Sequence, residues 1–569
     1  MTESLIASGA ARAVAAITSL SLLQVTGYLV LGVLVGLVGT WAYLYPYAAY
    51  FSSSRNLPGP PSEHPIAGNL LYVLRRQHPR PVYQAWIDKY GPTGRIRGLL
   101  GVERIYTSDP AVISHIFQHA DMWPKSKSTN IMLRRMLGNG LITAESSDHR
   151  RQRRVLNPAF SPRAVHEMAP IFFEKARAVR EKFAQLLEES ATTRDRVVLV
   201  DTDAMQATDN KGGKIDVGLL MEQATLDTIG AAGFDYDFAT LFSRRSELLD
   251  AFHSAVKALQ ASALISALQN RFVLFNALPT PGLKLGRASR ATMNRVGDRI
   301  VAEKTRAITN MGIEKDTDLA TADLLSRLIR ANMAVDLEER ARLSHAEVQA
   351  QICTFIFAGS ETTGVALTWA LYRLATDKAM QDRLRAELVT ISENPDLDEI
   401  HSLPFLEKFT REILRMDSPV PAVGREPAAK TTLPLSRPVR GRDGKMMDSV
   451  VVDKGTEVVI LVGNVNRDPA IWGPDSNEFN PDRYDRPPLA SVPGVYGNLL
   501  TFIGGPRNCI GWRLALAEFK IILFTLLRAY ELAEVPGTTL HSETTLGIMR
   551  TRSNEEGVVV PLLVRPVGE

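Results

Sequence analysis

Cysteine is nearly missing from this chain: Cys353 and Cys509 are the only two in 569 residues. That excludes a disulfide framework and fits a reducing compartment. Without a Cys-x-x-Cys pair, a zinc, iron–sulfur or thioredoxin-like site has no support. A charge imbalance is missing too, since 66 basic residues meet 62 acidic ones for a net +4. No basic block with interleaved aromatics occurs, so no nucleic-acid partner is expected. Between Arg12 and Arg55 there is no charge of either sign. There the part from Val25 to Leu44 is apolar over about 20 residues, the length that crosses a bilayer.

That stretch predicts one transmembrane helix over about 25–44. Trp41, Tyr43, Tyr45, Tyr47 and Tyr50 gather at its far end as an aromatic belt, and Arg55, Arg75, Arg76 and Arg80 follow. The positive-inside rule then places the bulk of the chain in the cytoplasm. The run is too long and starts too late for a cleaved signal peptide. Residues Leu5–Leu23 suit an interfacial helix or a second, weaker span. Residues 1–54 are thus read as a membrane anchor. Residues 55–65, with Leu57-Pro58-Gly59-Pro60-Pro61, are read as a stiff hinge in which proline forbids helix, and 66–569 as the catalytic part.

With 45% hydrophobic and 22% charged residues, the chain has ample material for a large core. Its length alone suggests three or four domains of about 150 residues. Ile96–Tyr106 has the β-branched and glycine content of a short hairpin, and Val450–Asp453 with Glu457–Val462 suggests a second small sheet. Arg194–Lys214 is polar and aperiodic, an exposed loop. Ile215–Phe238 returns to helical spacing, and Leu241–Phe275 is amphipathic. Ser344-His345-Ala346-Glu347 is a capping box that opens a helix through Tyr372. The run Ala358-Gly359-Ser360-Glu361-Thr362-Thr363 in its middle costs about 1–2 kcal/mol of helix propensity. On the helical wheel Gln351, Phe355, Ala358 and Ala366 fall within about 40° of Thr362, whereas Cys353 lies about 180° away and reads as a structural core residue.

The chemistry is expected at Phe502-Ile503-Gly504-Gly505-Pro506-Arg507-Asn508-Cys509-Ile510-Gly511. A lone cysteine sits there in a glycine- and proline-bent loop that runs into the apolar pattern Trp512–Leu527. A helix N-terminus favours thiolate over thiol, which leaves a nucleophile or a single axial metal ligand. Upstream, Asp148–Phe160 reads as a basic helix stopped by the residue before Pro158.

The spacing Phe502, Gly505, Arg507, Cys509, Gly511 resembles the haem-binding loop of the cytochrome P-450 superfamily, and the remaining motifs follow in that family's order from Pro58 to Val564. The resemblance implies a mainly α fold with small β-sheets, a helical prism around one buried haem, in place of several domains. It implies haem b (iron protoporphyrin IX) with Cys509 as axial thiolate, Phe502 packed by the sulfur, and Gly505 and Gly511 shaping the loop. Arg507, Arg153, His149 and Arg425 would meet the haem propionates; the family commonly has tryptophan where His149 stands. Thr362 would hydrogen-bond the reacting oxygen or a water, and Glu361 would help relay protons. Gln351, Phe355, Ala358 and Ala366 would border the substrate pocket. Glu412, Arg415 and Arg483 would form a buried cluster bracing the haem loop.

The implied activity is a microsomal monooxygenase, similar to fungal members, that oxidises a hydrophobic small molecule such as a terpenoid or other secondary metabolite. Xenobiotic or fatty-acid oxidation is the alternative on the same chemistry, and a thiolate-haem isomerase or dehydratase the alternative that needs no reductase. No flavin-binding pattern is present, so electrons would come from a separate NADPH-cytochrome P-450 reductase, with cytochrome b5 as a second donor. Membrane lipid would be the remaining partner, and the cytosolic face of the endoplasmic reticulum the location. Arg151, placed away from Arg153, would face outward to the reductase.

Overall fold

A long apolar helix crosses the protein, and the elements that build the cavity are hung on it. The computed structural model describes residues 22–42, 48–64, 67–69, 72–73, 79–192, 212–242, 247, 250–251, 254–255, 280–310, 323–333, 338–545, 547–555 and 559–568. Helix α1 is Leu22–Ala42. The basic helix α2 spans Ser146–Leu156 and passes into a 3-10 turn at Asn157–Phe160, because Pro158 cannot continue it. Helix α3 is Pro162–Thr192 and α4 is Val217–Phe234.

The long helix α5, His345–Thr376, starts at the expected capping box: Ser344 Oγ accepts from Glu347 N, and the Glu347 carboxylate accepts from Ser344 N at 2.9 Å. It runs unbroken through Ala358–Thr363. Gly359 has a packing reason, since a Cβ there would meet Ile229 Cγ1 of α4 at 2.8 Å. Thr225 Oγ1 of α4 also donates to Ser360 O at 2.8 Å. Helix α6, Pro404–Met416, and helix α7, Trp512–Ala529, complete the frame. Every apolar position expected on α7, from Leu514 to Leu527, is buried.

Strands β1 (Thr93–Arg97) and β2 (Glu103–Thr107) form the expected hairpin. Strand β3 (Gly213–Asp216) precedes α4, so the helical spacing expected from Ile215 begins two residues later; Asp216 accepts from Leu219 N as its cap. Strand β4 is Val423–Arg425. Strands β5 (Thr431–Arg440) and β6 (Met446–Val452) make a ribbon with an irregularity between Pro434 and Val439. Strand β7 (Glu457–Ile460) does not join β6 as expected. It pairs parallel with β2 and antiparallel with β4, giving one sheet in the order β1-β2-β7-β4. Local pattern identifies a strand, but its partner is chosen by long-range packing. Strands β8 (Tyr530–Glu534), β9 (Leu540–Thr545), β10 (Ile548–Ser553) and β11 (Pro561–Pro566) follow; β11 lies between β3 and β8, and β9 pairs with β10.

The N-terminal expectations divide. Residues 1–21 and most of 193–211 and 243–279 lie outside the described residues, with the second membrane segment, the polar loop and the Leu241–Phe275 stretch. No helix among the described residues is long and apolar enough to cross a membrane. From Tyr28 to Val38 the large apolar side chains of α1 are more than half exposed. The proline run is docked rather than hinged. Leu57 is buried, Arg95 N donates to Pro58 O at 2.8 Å, and Asn69 Nδ2 donates to Pro61 O at 2.7 Å. Just before it, Ser53 donates from N (2.8 Å) and Oγ (2.7 Å) to the Asp453 carboxylate.

Candidate functional site

The loop before α7 is held by its own backbone. Cys509 N donates to Phe502 O at 2.9 Å and Asn508 N to Gly505 O at 3.1 Å. Gly505 has φ +67°, and a Cβ there would stand 2.6 Å from Phe117 O, so both conformation and space require glycine. Gly511 is the N-cap of α7. Cys509 thus sits three residues before the helix, and its accessible surface opens into an internal cavity that Phe502 and Gly511 also line. Burial pushes its thiol above the ordinary value, against the N–H of Gly511 and the Arg153 guanidinium. The Gly511 N–H favours thiolate, as expected at a helix start, but burial outweighs it. A coordinated cation is what would deprotonate this sulfur.

The cavity has a volume of about 1630 Å³, above the roughly 300–1,000 Å³ of ordinary ligand pockets. That is room for a large cofactor together with a substrate. On α5 Phe355, Ala358, Thr362 and Ala366 line it as expected. Thr362 Oγ1 donates to Ala358 O at 2.7 Å, which leaves its lone pairs free to accept. Cys353 is buried away from the cavity and burial raises its thiol as well.

Two residues of α5 stand elsewhere than expected. Gln351 is buried off the cavity, bonded to Gln152 and to Leu141 N. It shares Thr362's side of the wheel, but eleven residues at about 1.5 Å each carry it roughly 16 Å along the axis, past the cavity and under α2. Glu361 is not on the cavity wall either; it is buried and ion-paired with Arg550 of β10. Adjacent helical positions diverge by about 100°, so the acid beside the alcohol faces the C-terminal hairpin.

Near the cysteine the walls are cationic. Lys125, Arg153, Arg425 and Arg507 line the same cavity as His149. The one carboxylate paired there among the described residues is Glu145: it ion-pairs with Arg507, and its Oε1 is 3.7 Å from Lys125 Nζ. Burial and Arg425 push the Lys125 ammonium down to about 7 against the pull of Glu145. Burial, with Arg507, Lys125 and Arg153 adding, holds His149 at about 3, a neutral imidazole able to donate. Arg425 is pushed down to about 10 by burial. Arg153 Nη1 donates to Asn508 O at 2.6 Å, tying α2 to the cysteine loop. Beside Cys509, then, Arg153, Arg425, Arg507 and a partly charged Lys125 meet Glu145 as ion-pair partner among the described residues, while Glu426 and Glu457 of the same cavity turn to Lys127 N and Arg104; a ligand with two carboxylates would fill that deficit, so these residues fit haem propionates. Lys125 and Glu145 escaped the sequence reading. Only their folded proximity to Arg507 marks them.

The bracing cluster is present. Glu412 and Arg415 are completely buried; Arg415 reaches Glu412 through Nε and Nη2, both at 2.8 Å, and Arg483 Nε donates to Glu412 Oε1 at 3.0 Å. Arg415 Nη1 donates to Asn466 O at 2.9 Å. The Asn466 side chain then accepts from Leu500 N at 3.0 Å and donates to Thr501 Oγ1 at 2.9 Å, at the entry to the cysteine loop. Asn466 had no sequence signal.

Arg151 does not face outward freely. It donates to the Glu347 carboxylate and, at 2.8 Å, to Arg342 O. The exposed cations of α2 are Arg150, paired with Asp121, and Arg154.

The family model for cytochrome P450 matches residues 58–556. Cytochrome P450 monooxygenase 205 of Postia placenta is 35% identical over 555 residues, 94% of this chain and 97% of that one. Cytochrome P450 monooxygenase 128 of the same fungus is 35% identical over 534 residues, covering 91% and 93%. Cytochrome P450 monooxygenase claP of Ampulloclitocybe clavipes is 31% identical over 557 residues, covering 94% and 98%.

Proposed function

The chain belongs to the cytochrome P450 family and is a monooxygenase, and from that premise we propose that it holds haem b through Cys509 and oxidises a hydrophobic small molecule, a terpenoid or other secondary metabolite. The balance is one O₂, two electrons and two protons, with one oxygen inserted into the substrate and the other leaving as water. Haem, when bound, supplies O–O cleavage, which thiolate ligation favours. The chain's residues bind, orient and exclude water. Arg153, Arg425, Arg507, Lys125 and His149 would hold the carboxylates. The apolar wall, with Phe355, Ala358 and Ile229, would take the substrate. Thr362 Oγ1, its proton given to Ala358 O, would accept a hydrogen bond from water and hold it in place for proton delivery.

The observation that carries this reading is that Cys509, the cationic group and Thr362 line one cavity. Cys509→Ser is expected to abolish the thiolate-type Soret band of the reduced CO complex; persistence of that band would refute the ligand assignment.

Electrons are assigned to a separate NADPH-cytochrome P-450 reductase, with cytochrome b5 as a second donor, and location to the cytosolic face of the endoplasmic reticulum with α1 in the membrane. What supports the membrane reading is the exposed apolar surface from Tyr28 to Val38 and the uncharged interval from Arg12 to Arg55.

A further inference from the structure

Between α2 and the start of α5 lies a buried polar set that the oxidation does not use. Gln152 Nε2 donates to Glu347 Oε1 at 3.1 Å and to Asn139 O at 3.0 Å, while its Oε1 accepts from Gln351 Nε2 at 3.0 Å. Gln351 Nε2 also donates to Glu347 O at 3.2 Å, and its Oε1 accepts from Leu141 N at 3.0 Å. Both amides are wholly buried and use both N–H groups and the oxygen. Glu347 is meanwhile tied to Arg151 and to Ser344 N. Such a closed network tolerates one arrangement, because any shift leaves a buried donor unpaired.

The consequence lies on the adjoining flank of α2. His149 and Arg153 stand about 40° apart on that helix and face the cavity, and Gln152 lies about 60° from His149 on the other side. Turning α2 to break the Gln152 bonds would swing both cavity-facing residues, and Arg153 would carry the Asn508 end of the cysteine loop with it. We propose that Glu347, Gln152 and Gln351 are positioning residues that set the rotation of α2, presenting His149 and Arg153 to the cofactor's carboxylates and holding Leu141 in the cavity wall. The inference rests on the cofactor site of the proposed function.

The test uses the full-length, haem-loaded protein and needs no substrate. Gln351→Met and Gln152→Met, singly and together, are compared for haem transfer to excess apomyoglobin, for the propionate-bending bands in the resonance Raman spectrum, and for the thermal midpoint. Gln351→Met is expected to speed haem transfer by roughly tenfold, the scale of one lost buried hydrogen-bond partner, and to shift the propionate bands. The double variant should fall short of the product of the two singles, because the amides act as one unit. Gln351→Asn, which keeps the amide but shortens its reach, should move the same readouts less, and it carries the comparison if Gln351→Met does not accumulate. A lowered thermal midpoint with unchanged bands and transfer rate would make the network a brace of the fold alone and overturn the proposal. A wild-type protein without the thiolate-type Soret band would instead overturn the cofactor reading.

Discussion

At the residue scale, single groups in the cavity wall have states set by their neighbours, and two predictions belong here. Lys125 sits at about 7 in the cavity as it stands, and two added carboxylates would raise it. A group whose pKa is higher in the bound state contributes fully below its free value and loses that contribution as pH rises toward its bound value. Haem retention should therefore be flat in the Lys125 contribution below about pH 7 and weaken above it, by at most about tenfold per pH unit for one linked proton. Lys125→Arg should remove that dependence while keeping the affinity; a Lys125→Arg protein with the wild-type pH profile would show that another group titrates. His149 is held at about 3 by burial and the same cations, and the two carboxylates would raise it as well, so a His149→Gln protein is the control for its share of the profile. Thr362→Ala should leave the haem spectrum intact and divert reducing equivalents to peroxide or superoxide. If product formed per NADPH consumed is unchanged, the hydroxyl has no part in proton delivery.

At the scale of elements, the cysteine loop is as rigid as what stands behind it. Glu412, Arg415 and Asn466 form a relay from α6 to Leu500 and Thr501. Removing one partner of a completely buried ion pair costs about 3–5 kcal/mol, so Glu412→Ala should unfold at much lower denaturant and lose haem early in the transition. Equal midpoints for the variant and the wild type would exclude this bracing role. If a separate reductase supplies the electrons, as proposed, helix α2 would carry the docking charge, and the structure moves the test from Arg151, which is tied to Glu347, to the exposed Arg154. Charge complementarity at a docking surface acts mainly on association rate and is screened over about 8–10 Å. Arg154→Glu is expected to slow reductase-supported turnover, most at low ionic strength, and to spare peroxide-driven turnover. Equal losses in both assays would mean damage to the haem site.

At the scale of the whole molecule, the segment before the first sheet is clasped in place, with Ser53 on Asp453 and Pro58 on β1. Deletion of residues 1–54 is expected to release the protein from membranes with haem retained. A truncated protein that still sediments wholly with membranes would reveal a second lipid-binding surface. The sequence by itself determined the chemistry-bearing loop, the capped long helix with Thr362, the Glu412–Arg415 pair and the mainly helical class. These depend on residues close together in the chain, where helix period, capping and turn chemistry act. Only the tertiary structure decided that β7 pairs with β2, that Glu361 belongs to Arg550, that Gln351 lies under α2, and that Lys125 and Glu145 complete the cationic wall. A helical wheel assigns direction without depth, and a local motif cannot say which distant segment will arrive opposite it; both are set by packing across hundreds of residues of chain.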